Sequence, residues 1–312
     1  MGQKSNPISL RLALKNTLWP SEYIEKSSRD SSITIYQDLE IRKHLNRFFI
    51  IHGLILVNCY INRYQRNIEL IISYFITSNF IKFIKSRGVN SIIHKKRHLI
   101  KKRSTRVLKK RKRSSQIVKR KTFFFTNIIK KKKTFKRINF ISKLLSSLNL
   151  FLNKRHNIKI ILQSLNKSLS FRLKNKEAYF FRKLITKLRF YSRSNFFSES
   201  INILIIFIRK KSMVKLLPEF ISSKLSILKR HNFFLTFIKR SLVLLLNSKY
   251  SLVRGLKMRI NGRFNGAARS KTRVFQINNI PLQTLDLSIH YHQSVSYTNN
   301  GTFGVKLWVY TK

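Results

Sequence analysis

Apolar positions along this chain change period several times, and each change marks an expected element. Tyr36, Leu39, Ile41, Leu45, Phe48 and Phe49 recur at helical spacing, with Arg42, Lys43 and Arg47 on the other face. That pattern predicts an amphipathic helix over 36–50. Two runs rich in β-branched and aromatic residues follow, over 54–61 and 68–75, and the polar stretch 62–67 between them predicts a hairpin. A further helix is expected over 79–86, stopped near Gly88. Residues 1–35 are polar and Ser-rich without sustained periodicity, so a largely irregular tail that docks on a partner is expected there.

The second half is patterned differently. Residues 135–230 interleave Leu, Ile and Phe with Lys and Arg, as over 180–190 and 201–208, which predicts amphipathic helices with room for a strand. Residues 232–247 read as a helix that carries Lys239 and Arg240 and buries 242–246. Leu252, Arg254, Leu256, Met258 and Ile260 then alternate as a strand, and 264–277, 285–292 and 305–310 are three more strand candidates. The fold class expected is α+β, ending in one helix packed on a four-stranded, mostly antiparallel sheet.

Charge changes the picture from fold to partner. Against 66 Lys and Arg stand 10 Asp and Glu, a formal net charge of +56 with a pI near 11.4. Such an excess repels itself in a free compact domain, and phosphate backbones supply the missing anions. The acids cannot do so internally: after Glu69 none occurs until Glu177. Residues 95–133 hold 19 Lys or Arg among 39 residues, with clusters at 109–113 and 130–133 bracketing Phe123, Phe124 and Phe125. Alone, this run is a solvated basic linker; on folded RNA it gains order by neutralising phosphate.

Other chemistry is thinly represented. The charge-free run 48–62 is too short for the roughly 20 apolar residues of a membrane span, so no membrane partner is expected. One cysteine, Cys59, excludes an internal disulfide framework and any multi-cysteine zinc site. His290 and His292 share one face of a strand but lack a third ligand nearby. Metal-assisted phosphodiester cleavage needs paired carboxylates, and the middle of the chain offers only Glu177, Glu199 and Glu219, in no recognisable motif. No catalytic residue, metal ligand or cofactor is therefore nominated, and the chain is not expected to be an enzyme.

The opening Met1-Gly2-Gln3-Lys4-Ser5-Asn6-Pro7 and the closing Gly301-Thr302-Phe303-Gly304-Val305-Lys306-Leu307-Trp308 resemble the two termini of the small-subunit ribosomal protein three family. Gly262-Arg263-Phe264-Asn265-Gly266-Ala267 resembles that family's Gly-Arg-x-Gly-Gly-Ala turn, and Pro281-Leu282-Gln283-Thr284-Leu285 its Pro-Leu-x-Thr-Leu. The resemblance implies four parts: a tail over 1–35, a KH-like domain over 36–90, a basic lineage-specific insertion over 91–230, and a C-terminal ribosomal domain over 231–312. It implies a structural constituent of the small-subunit head that binds ribosomal RNA, borders the mRNA entry channel and touches neighbouring small-subunit proteins. Two departures stand out. The only glycine between Ser73 and Ile93 is Gly88, so the RNA-clamping Gly-x-x-Gly loop of a KH domain is missing and the domain is degenerate. The paired arginines that bacterial relatives present to messenger fall on Leu235 and Thr236, while Lys239 matches their lysine.

The residues nominated for RNA contact are Lys4 and Arg11 in the tail, and Lys109, Arg111, Arg113, Lys131 and Lys132 in the insertion. Arg230, Lys239, Arg240, Arg263, Arg269, Lys271 and Arg273 are nominated in the C-terminal block. Gly262 and Gly266 serve either a tight turn or close RNA approach. Scarce Gly and Pro, 8 and 4, beside abundant Phe, Ile, Lys, Asn and Leu suit an A/T-rich organelle gene. The mitochondrial matrix is the expected location, with the plastid as alternative; the competing functional reading is a free basic RNA-binding or RNA-processing protein.

Overall fold

The computed structural model describes residues 6–11, 20–24, 27–64, 67–78, 140–152, 156–166, 175–209 and 213–311. The helix expected over 79–86 and the cationic run 95–133 lie outside the described residues. Helix α1, Pro7–Leu10, opens the chain, with the Asn6 side chain accepting from Ile8 N. Helix α2, Ser28–Ile51, is capped by the Ser27 side chain, which accepts from Asp30 N, with Asp30 in the positive first turn. This good cap draws the helix back eight residues beyond the apolar period that predicted it. Gly53, at φ 68, turns the chain out of the helix and into the sheet.

The expected hairpin is present: β2 (Leu54–Tyr64) and β3 (Asn67–Ile76) pair antiparallel from Leu54 against Ile76 to Tyr64 against Asn67. A short β1 (Ser21–Glu22) adds in parallel to β2. Arg42 of α2 fastens it, donating to the carbonyls of Pro20 and Cys59 and, at 2.8 Å, to Ser21 Oγ. The fourth strand, β4 (Asn157–Ser164), runs parallel to β3 and comes from within the span assigned by pattern to the insertion. A helix α3 over 140–151 precedes it. Ile41, Leu45 and Phe49 of α2 and Leu144 and Leu148 of α3 pack into one core with Leu56, Ile61, Ile68, Leu70 and Ile72 of the sheet. Helix, strand, strand, helix, strand is thus one unit around one apolar face. Cys59 lies in this core, and burial pushes its thiol up to about 11.

Helices α4 (Asn175–Thr186), α5 (Phe197–Arg209), α6 (Leu216–Ile227) and α7 (His231–Leu246) follow. A 3-10 turn, Arg189–Tyr191, joins α4 to α5. In α5 every residue from Ile203 to Ile208 is buried, so the helix is apolar on all sides and sits inside the molecule. Each such Ile or Leu contributes roughly 1.5–3 kcal/mol of burial. The same core takes Val57 and Phe75 from the first sheet and Leu256, Met258, Ile260, Val305 and Leu307 from the second.

That second sheet holds β5 (Val253–Gly262), β6 (Lys271–Ile277), β7 (Ile289–Thr298) and β8 (Gly301–Thr311) in the order β6-β5-β8-β7, all antiparallel. The antiparallel four-stranded sheet was expected; three particulars differ, the first being that the strand expected over 285–292 runs Ile289–Thr298. The strand expected over 264–277 begins only at Lys271, because 264–266 is a 3-10 turn. Besides α7, helix α6 also packs on the sheet: Ser294 Oγ donates to Pro218 O, and His292 Nε2 lies 3.3 Å from Glu219 Oε1.

Candidate nucleic-acid interface

Five of the nominated cations meet at one end of the second sheet, and the backbone explains why. Strand β5 ends at Gly262, where a Cβ would stand 2.2 Å from Phe303 Cδ1. The chain then folds tightly through Asn265 (φ 54) and Gly266 (φ 75) before β6 begins. Asparagine is among the few side chains that tolerate the left-handed region, so Asn265 can stand, at modest cost, where the resembling motif Gly-Arg-x-Gly-Gly-Ala has its second glycine. Its side chain has a further role: Asn265 Oδ1 accepts from His231 N at 2.8 Å, and Asn265 N donates to His231 Nδ1 at 3.2 Å. This reciprocal pair pins the turn to the first residue of α7. Beneath it, His231, Phe264 and Phe303 pack with ring centroids 5.0 and 5.3 Å apart.

Pinning places Arg230, just before α7, beside Arg263, Arg269, Lys271 and Arg273. The first four are exposed. Arg263 Nε donates to Ala267 O at 2.8 Å, and the Arg273 guanidinium lies 4.5 Å over the Phe264 ring. Both arginines are thus held while part of each fork faces outward. Asp286 is the sole acid from 231 onward in the sequence, and the N-terminal end of α7 adds its own partial positive charge to the cluster. Guanidinium forks at a helix start suit phosphate oxygens.

The other nominated residues fall elsewhere. Lys239 and Arg240 are exposed farther along α7, and Arg240 Nη1 donates to Tyr191 Oη at 3.1 Å. Leu235 is 1% exposed, and Thr236 donates to Phe233 O. Neither position where bacterial relatives carry arginine presents a cation. Arg11 is committed internally: it donates to Pro7 O at 3.2 Å, Leu282 O at 2.9 Å and Thr284 O at 2.8 Å. It therefore ties the start of the chain to the Pro281–Leu285 motif rather than facing solvent with the cluster. Lys4, Lys109, Arg111, Arg113, Lys131 and Lys132 lie outside the described residues. The 231–265 pairing was not foreseen from sequence, although Asn at a family glycine position was a visible signal.

The carboxylates of the middle segment are each engaged. Glu177 is gripped by Arg209 at 2.8 Å through both oxygens, and Glu199 takes Lys224 Nζ at 2.7 Å and Ser78 N at 3.0 Å. Glu219 faces His292. Among the described residues no three His, Cys, Asp or Glu side chains are grouped to hold a metal ion, and no helix is long and apolar enough to cross a membrane.

The C-terminal part of the chain is thus an antiparallel four-stranded sheet with helices packed on it and a cationic turn at its tip. Residues 236–309 match the family model described as "Ribosomal protein S3, C-terminal domain". The chain is 40% identical over 57 residues to small ribosomal subunit protein uS3 of Aquifex pyrophilus, covering 18% of this chain and 25% of that one. To the uS3 of Neorickettsia sennetsu it is 34% identical over 83 residues, 27% of this chain and 38% of the other. To the uS3c of Euglena gracilis it is 32% identical over 74 residues, 24% and 34% of the two chains. The matches thus span between 24% and 38% of the length of these and similar curated relatives.

Proposed function

We propose that this chain is a structural constituent of the small-subunit head of an organelle ribosome, binding ribosomal RNA and bordering the messenger entry, beside neighbouring small-subunit proteins. The observation that carries the reading is the coincidence of the match to the S3 C-terminal domain, residues 236–309, with a cationic tip built by Arg230, Arg263, Arg269, Lys271 and Arg273. Affinity then comes from phosphate contact more than base reading. The KH-like unit runs from α2 through β4, and the cationic segment between 79 and 139 is inserted within it. Mitochondrion is favoured by the lost Gly-x-x-Gly loop and the large insertion. The plastid remains the alternative, consistent with the algal uS3c relatives.

Sedimentation of organelle lysate in several hundred millimolar salt tests the proposal, with the chain followed by mass spectrometry in separate mitochondrial and plastid fractions. Migration with the small subunit is expected; recovery at the top of the gradient refutes it. The reading of a free RNA-processing enzyme fares worse on geometry, since Glu177, Glu199 and Glu219 are each held by a cationic or histidine partner inside the fold.

A further inference from the structure

Two phenylalanines are open on one surface: Phe190 is 76% exposed and Phe233 43%. They belong to different parts of the chain. Phe190 lies on the 3-10 turn between α4 and α5, and Phe233 on the first turn of α7. Their ring centroids are 6.1 Å apart, and both pack on buried Tyr191, at 5.1 and 5.0 Å. Tyr191 Oη in turn receives Arg240. The two open rings are therefore held by a fixed third ring beneath them. Arg189 and Arg193, both exposed, flank Phe190 on the same turn, and Arg240 lies on the α7 side. The two acids nearest in sequence, Glu177 and Glu199, are bound by Arg209 and Lys224.

We infer that Phe190 and Phe233 form a stacking platform for unpaired RNA bases, with Arg189, Arg193 and Arg240 holding the adjoining phosphates. Open aromatic faces fixed among cations are the arrangement single-stranded nucleic acid uses, since every base has a π face and every nucleotide a phosphate. Charge decides the occupant: an apolar protein partner gains nothing from three exposed arginines, whereas an RNA strand satisfies rings and cations together. The site joins the exposed side of α7 that carries Phe233 and Arg240 to the turn at 189–191. It extends the ribosomal reading but does not depend on it.

The test compares the full-length chain binding two fluorescent twelve-nucleotide probes of equal phosphate number, oligouridylate and an abasic ribose-phosphate strand. The unchanged chain is expected to prefer the uridylate by at least about fivefold per stacked base. The Phe190→Ala/Phe233→Ala variant should lose that preference while binding the abasic probe and showing a salt slope as before. Phe190→Tyr/Phe233→Tyr should restore it, which separates stacking from folding damage. Equal binding of both probes by the unchanged chain overturns the inference, as does a preference that survives the double alanine variant. If that variant instead loses binding to anionic vesicles with its base preference untouched, the patch is a lipid surface and the inference falls. Gradient sedimentation of the same variants keeps the two proposals apart: loss of base preference with subunit association retained touches only the platform.

Discussion

The Asn265–His231 pair makes a prediction with a definite order of effects. Replacing Asn265 by alanine removes the acceptor for His231 N, a capping interaction of about 1 kcal/mol. It also leaves an alanine at φ 54, where a left-handed residue costs about 1–2 kcal/mol. Asn265→Ala should therefore lose about 2–3 kcal/mol. Asn265→Gly gives up the cap but relaxes the backbone, and should lose only about 1 kcal/mol. Urea unfolding of the full chain, followed by the fluorescence of Trp308, which is 7% exposed beside Tyr291, reads the order Asn, Gly, Ala. If alanine proves no worse than glycine, the backbone argument is wrong; if glycine equals asparagine, the cap contributes nothing. The alanine variant should also weaken phosphate binding at the tip, because Arg263 and Arg269 lose their fixed position beside Arg230.

Gly262→Ala should destabilise by about 1–3 kcal/mol or more, since the new Cβ meets Phe303 at 2.2 Å and that ring is 1% exposed; a melting point unchanged from the parent would contradict the packing role. Asp38→Ala strands Arg63, whose side chain is 8% exposed and which donates to Asp38 through Nε at 2.8 Å. A loss of about 3–5 kcal/mol is expected in denaturant titration, and a loss under about 1 kcal/mol would show the pair to be dispensable. Lys215 is held below its ordinary value of 10.5 by burial, with Glu219 opposing. Because the folded chain binds that proton less tightly than the unfolded one, the penalty is full below the depressed folded value and fades as pH rises toward 10.5. Lys215→Met should thus stabilise at neutral pH, with a gain that shrinks near pH ~10; a gain independent of pH would point to packing alone.

Much of this could be read from residue order, and the limits have physical causes. The hairpin of β2 and β3 and the alternation in β5 were legible because a sheet with one buried face imposes a period of two on neighbouring residues. Strand β4 was not, since its partner β3 lies 90 positions away in register, Asn67 against Asn157. Its half-exposed Ile158, Ile160 and Leu162 carry only a faint alternation. Helix α5 was legible as apolar, but nothing local says that an all-apolar helix becomes the centre of a core shared by both sheets.

The candidate site divides along the same line. Sequence alone set the expectation of a polyanionic partner, because a net charge of +56 is a sum and needs no geometry. It also determined the S3-like C-terminal block, because the glycine turn and strand pattern are local constraints that survive as motifs. Only the tertiary structure decided which cations act together. Hydrogen bonds between Asn265 and His231 gathered five of them, while carbonyls of Leu282 and Thr284 withdrew Arg11, and Arg209, Lys224 and His292 engaged Glu177, Glu199 and Glu219. Hydrogen bonds and ring packing reach across gaps of tens to hundreds of residues, and no period or composition records which side chain waits at the other end.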